Sequence, residues 1–84
     1  MNIKYTVKNT DTGKTMCCVL DRAEPIDSQL DRVFEIETGH GIGAFACEDR
    51  IELTDYYHGS VMATFAILSK EETAAPISLK WTEI

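Results

Sequence analysis

Eighty-four residues with 44% hydrophobic content are enough for one core and too few for two, so a single domain over residues 1–84 is expected, folded rather than disordered. Three cysteines, odd in number with two adjacent, exclude the framework of a small disulfide-stapled secreted protein. A net charge of −6 argues against direct contact with nucleic acid or an anionic membrane and for a basic partner.

Ile3, Tyr5 and Val7 alternate with Lys4, Thr6 and Lys8, the period-two pattern of a half-buried strand. Asn9 to Lys14 is turn chemistry, with Gly13 suited to the positive φ that closes a hairpin, and Thr15 to Leu20 returns as a second strand. Adjacent strand residues face opposite sides, so Cys17 and Cys18 do not converge on one metal and read as packing residues.

Asp21 to Pro25 leaves the sheet, and the spacing predicts an amphipathic helix from about Pro25 to about Glu37. Ile26, Leu30, Val33 and Phe34 form its apolar stripe, and Asp27 or Ser28 falls in its first turn. Gly39 is placed as the C′ residue. Val33 to Thr38 also alternates, so the competing reading is a shorter helix followed by a strand. On the helix, Asp27, Asp31 and Glu35, joined by Glu24 if the helix reaches back to it, project together as one carboxylate face. Neighbours at i, i+4 repel by roughly 0.2–0.5 kcal/mol per pair, so this face is unfavourable for an isolated helix.

Gly39-His-Gly-Ile-Gly43 invites a phosphate-loop reading, but it leaves a helix and enters a strand, the reverse of what a nucleotide loop requires. Ala44 to Cys47 is a short apolar run, Glu48 to Arg50 a turn or bulge, and Ile51 to Thr54 a strand. Asp55 to Ser60 closes a hairpin whose second arm, Val61 to Leu68, reads as a central strand covered on both faces, in part by the helix. Ser69 to Pro76 reads as a polar surface connection. Ile77, Leu79 and Trp81 then share one face of a final strand, with Ser78, Lys80 and Thr82 on the other. The fold class is α+β, two-layer, with one amphipathic helix on a mainly antiparallel sheet of about five strands.

Catalytic and metal chemistry find little support in these residues. His40, Cys47 and His58 lack the short paired spacing of a zinc site, and the acids of 48–55 lack the glycine and ligand order of a calcium loop. Carboxylates flanking Cys47 raise rather than lower a thiol pKa, which ranks a thiol-dependent enzyme last. No catalytic residue, metal or cofactor is assigned. Met1 leads directly into a strand pattern, and the run from Val61 to Leu68 is far short of the ~20 residues that span a bilayer. A reducing, cytoplasmic setting with three free thiols is expected.

Charge is the most informative feature. Residues 21–55 hold ten carboxylates against three arginines, a local charge of −7, while the other segments hold four acids and five lysines. The partner-binding set is Glu24, Asp27, Asp31, Glu35, Glu48, Asp49, Glu52 and Asp55. In size, acidity and absence of catalytic apparatus the chain resembles the small phage-encoded anti-CRISPR inhibitors, some of which present carboxylates where nucleic-acid phosphates would sit. The likeness is one of character and carries no functional residue across. It implies an inhibitor acting in a host cytoplasm. The expected function is a non-enzymatic protein that occupies a basic, nucleic-acid-binding surface of a protein partner. The alternative is an interaction or assembly module binding through Tyr56, Tyr57 and Trp81.

Overall fold

The computed structural model describes residues 1–37 and 39–84. Six antiparallel strands form one curled sheet, a half-barrel, and a single short helix packs against it. The strands are β1 (Asn2–Asn9), β2 (Thr15–Leu20), β3 (Ile42–Ala46), β4 (Arg50–Asp55), β5 (Ser60–Thr73) and β6 (Ser78–Glu83), in the order β3-β4-β5-β1-β2-β6. The helix, α1 (Ile26–Val33), joins β2 to β3.

The first hairpin follows the expected pattern. Asn9 Oδ1 accepts the Asp11 and Thr12 N–H groups at 2.8 and 3.1 Å, and Gly13 turns the chain with φ 76°. Tyr5 then pairs with Cys18 and Ile3 with Leu20, while Ile51 pairs with Phe65 across β4 and β5. These residues, apart from the half-buried Ile3, are buried, and Leu30 and Val33 of α1 close over them.

The helix is shorter than its sequence pattern implied. Phe34 caps it, Glu35 takes the left-handed conformation at φ 57°, and the Glu35 and Ile36 N–H groups donate back to the Arg32 and Asp31 carbonyls at 3.1 and 2.8 Å. This is a Schellman ending, with Glu35 rather than Gly39 at C′. Ile36 and Glu37 belong to neither helix nor strand, and Thr38 lies outside the described residues. The expected apolar stripe nevertheless packs as one: Leu30 and Val33 are buried, and Ile26 and Phe34 lie against the same core.

Two expectations about β5 are corrected. The strand runs on through the supposed connection at 69–73, because its second half pairs with the whole of β1, Asn2 opposite Thr73. Nor is it covered on both faces. Register shifts leave Met62 and Leu68 as extra residues, one opposite the Leu53/Thr54 step and one opposite Thr6/Val7. Such bulges bend a strand and re-aim its side chains, and here Met62 and Leu68 stand 56% and 55% exposed. The helix instead packs on β3, β6 and the end of β2. It therefore bridges the two edges of the half-barrel.

Candidate functional site

The predicted carboxylate stripe does not form one face. Asp27 and Asp31 are turned toward β3, the edge strand, where Asp31 Oδ1 accepts the Ala44 N–H at 2.8 Å and Asp27 Oδ1 accepts that of Ala46 at 3.0 Å. The spacing fits because four helical residues rise about 6 Å and two strand residues about 6.8 Å. Two acids one turn apart thus serve as a surrogate neighbouring strand. Glu24 precedes the helix and Glu35 follows it, both exposed.

Of the other four acids, Glu48 and Asp49 lie on the β3–β4 turn, and Glu52 and Asp55 on β4, Asp55 as its last residue. Glu48 and Asp49 are exposed, with Asp49 Oδ1 taking a hydrogen bond from Arg50 Nη1 at 2.9 Å. Glu52 is half-buried, 3.5 Å from Arg50 Nε and 3.7 Å from Cys47 Sγ. Asp55 organises the β4–β5 turn: Oδ1 accepts the Tyr57 and His58 N–H groups, and Oδ2 shares a 2.8 Å hydrogen bond with His58 Nδ1. That side-chain bond with His58 holds the Asp55 carboxyl below its ordinary range.

Between the C-terminal half of α1, the glycine connection and the β4–β5 turn lies a cleft of about 530 Å³. Asp31, Arg32, Ile36 and Glu37 form one side, and Ile42, Tyr56 and Tyr57 the other. Gly41 and Gly43 make the second side possible. The Tyr57 ring lies over Gly41, whose φ is 73°, and the Tyr56 ring over Gly43, so a Cβ at either position would strike an aromatic ring. Tyr56 is braced edge-on by Phe45 at 5.4 Å, whereas Tyr57 is 77% exposed. Among the described residues Arg32 makes no ion pair.

Comparison with known protein families, with curated proteins and with solved structures returns no match to this chain. The reading of the site rests on its own geometry.

His40, Cys47 and His58 are each engaged by a different carboxylate: His40 with Glu37 at 3.1 Å, Cys47 with Glu52 and His58 with Asp55. Among the described residues no group of three or more metal-ligating side chains gathers. All three cysteines are free thiols, and burial pushes Cys18 up to about 12. Trp81, expected as a surface aromatic, is half-buried in the core with its ring edge-on to Phe34 at 5.2 Å. Two features escaped the sequence pattern. One is the cleft, because no periodicity reports that Tyr57 and Glu37 line one space. The other is Gln29, 1% exposed, which accepts the Asp21 N–H at 2.7 Å and donates to the Asp21 carbonyl at 2.8 Å. A glutamine next to Leu30 of the apolar stripe, one turn after the β2–α1 loop, was the only available hint of this lock.

Proposed function

We propose that this chain is a small non-enzymatic binding protein that occupies a basic surface of a protein partner, of the kind that otherwise takes nucleic-acid phosphates, and so acts as an inhibitor in the cytoplasm. One observation carries the reading. The acidic third of the sequence stays together in space, since β3 and β4 are neighbours at one end of the sheet and α1 lies against β3. The lysines lie outside α1, β3 and β4: Lys4 and Lys8 are on β1, Lys14 in the β1–β2 turn, Lys70 on β5 and Lys80 on β6. With Asp27 and one oxygen of Asp31 engaged on β3, most contacts fall to the exposed acids Glu24, Glu35, Glu37, Glu48 and Asp49, with Glu52 and Asp55 behind them. Such a field steers a basic partner and suppresses acidic ones.

A pull-down from cytosol followed by a binding assay at two salt concentrations tests this. Charge reversal of Glu35, Glu37 and Glu48 should abolish capture and flatten the salt dependence, because counter-charge contacts weaken with ionic strength. Binding that ignores both salt and charge reversal favours the second reading, an assembly module using an apolar surface. That reading draws on Tyr56, Tyr57, Val61 and Met62, which are exposed on the β4–β5 turn and the adjoining end of β5.

A further inference from the structure

We propose that the cleft beside α1 is a socket for an arginine side chain of the basic partner, stacked on the Tyr57 ring and met by the carboxylates of Asp31 and Glu37. This inference rests on the reading of the chain as a binder of basic protein surface, and it names the anchor.

The cleft is half open to solvent and holds about 530 Å³, within the range of roughly 300–1,000 Å³ that ligand pockets occupy. Its lining is mixed. Ile36, Ile42, Tyr56 and Tyr57 give it apolar and aromatic surface, and Ser28, Asp31, Arg32 and Glu37 add polar groups, which suits an occupant with a flat face and a charged edge. Two carboxylates against one guanidinium argue against an anion, although one oxygen of Glu37 is already met by His40 at 3.1 Å. One oxygen of Asp31 is held by the Ala44 N–H, which fixes the carboxylate in place while its second oxygen makes no hydrogen bond among the described residues. Tyr57 is carried over Gly41 by a turn that Asp55 fastens through the Tyr57 N–H at 3.0 Å, so the ring is presented rather than collapsed into the core.

A face of tyrosine beside fixed carboxylates suits a planar guanidinium better than a lysine ammonium. The guanidinium stacks on the ring while its N–H fork reaches the acids. Arg32 is then a like charge at the rim. Its presence lowers affinity for the cation and is the feature that separates this proposal from an anion site.

The probe is a short peptide alternating glycine with arginine, with a lysine counterpart as control, titrated into the intact chain by calorimetry and by amide NMR. The arginine peptide should shift the Gly41, Ile42 and Tyr57 amides and bind about fivefold more tightly than the lysine peptide. Tyr57→Ala should weaken it about tenfold, Tyr57→Phe should stay within about twofold, and Arg32→Ala should strengthen it about threefold. Equal binding of the two peptides, indifferent to Tyr57→Ala and with shifts at Glu48 and Asp49 instead, overturns the socket and leaves the acidic-surface reading standing. No binding of either peptide overturns both. Weaker binding of the arginine peptide to Arg32→Ala contradicts a guanidinium seated beside Arg32 and overturns the proposal, and shifts of the cleft amides by inorganic phosphate assign the cleft to an anion and overturn it as well.

Discussion

Glu35 is, among the described residues, the one non-glycine with positive φ. A left-handed residue with a Cβ costs on the order of 1–2 kcal/mol, part of which glycine returns as unfolded-state entropy. Glu35→Gly should therefore stabilise the fold by about 1 kcal/mol, raising Tm by roughly 4–8 °C in a domain of this size. The same change removes an exposed acid, so capture of the basic partner should weaken as the fold strengthens. A thermal melt and a binding isotherm on one variant check both directions. Cys18 invites a second test at this scale. Its thiol is pushed up to about 12 by burial first and by Cys17 second, so it stays protonated near neutrality and inert. Alkylation of the native protein should modify Cys17 and Cys47 well before Cys18, while unfolding without reductant should expose all three. The Asp55 carboxyl, lowered chiefly by its hydrogen bond with His58, gives stability that is complete above the ordinary carboxylate pKa of about 4 and is lost as pH falls through the lower folded value. Melts taken across that acid range should fall more for the native chain than for Asp55→Asn.

At the scale of elements, the acids of α1 change meaning once β3 lies beside them. In an isolated helix Asp27 and Asp31 only repel each other, and replacing Asp31 would be neutral or mildly stabilising. Against the edge of β3, Asp31→Ala removes the acceptor for the Ala44 N–H and should cost about 1–3 kcal/mol. Asp31→Asn, which keeps a carbonyl oxygen, should cost less. Denaturant melts of the pair decide the point, and an unperturbed Ala variant would mean that water replaces the carboxylate freely. The apolar stripe of α1 was legible from its spacing, β1 from strict alternation, and β2 as the return arm of the hairpin that Gly13 closes. The helix end was not, because a Schellman turn built on glutamate carries no glycine to announce it. Nor was the continuation of β5 through Ser-Lys-Glu-Glu-Thr73, since a strand whose outer face meets water can be polar wherever its partner supplies the hydrogen bonds. The acids themselves were legible as a group, but their division between strand capping and open surface depends on sheet order, which no local pattern contains.

For the whole molecule, the half-barrel has two open edges and one short helix to bridge them, and Phe34 is where that bridge is fastened. Its ring lies 5.0 Å from Phe65 of β5 and 5.2 Å from Trp81 of β6, so one residue ties the helix to the middle and to one edge of the sheet. The Asp27 and Asp31 carboxylates tie it to the other edge. An eight-residue helix is too short to persist without such contacts. Phe34→Ala should therefore cost about 3–5 kcal/mol, a large share of the 5–15 kcal/mol typical of a domain. Loss of that anchor also loosens the cover on β3, whose edge N–H groups then face solvent and other chains. Hydrogen exchange at the Ala44 and Ala46 amides should accelerate in this variant beyond the change expected from global unfolding alone, and sedimentation should reveal concentration-dependent association. If those two amides kept their protection relative to the β1 and β5 amides, the carboxylates alone would hold the helix, and the aromatic cluster would matter only for the core beneath it.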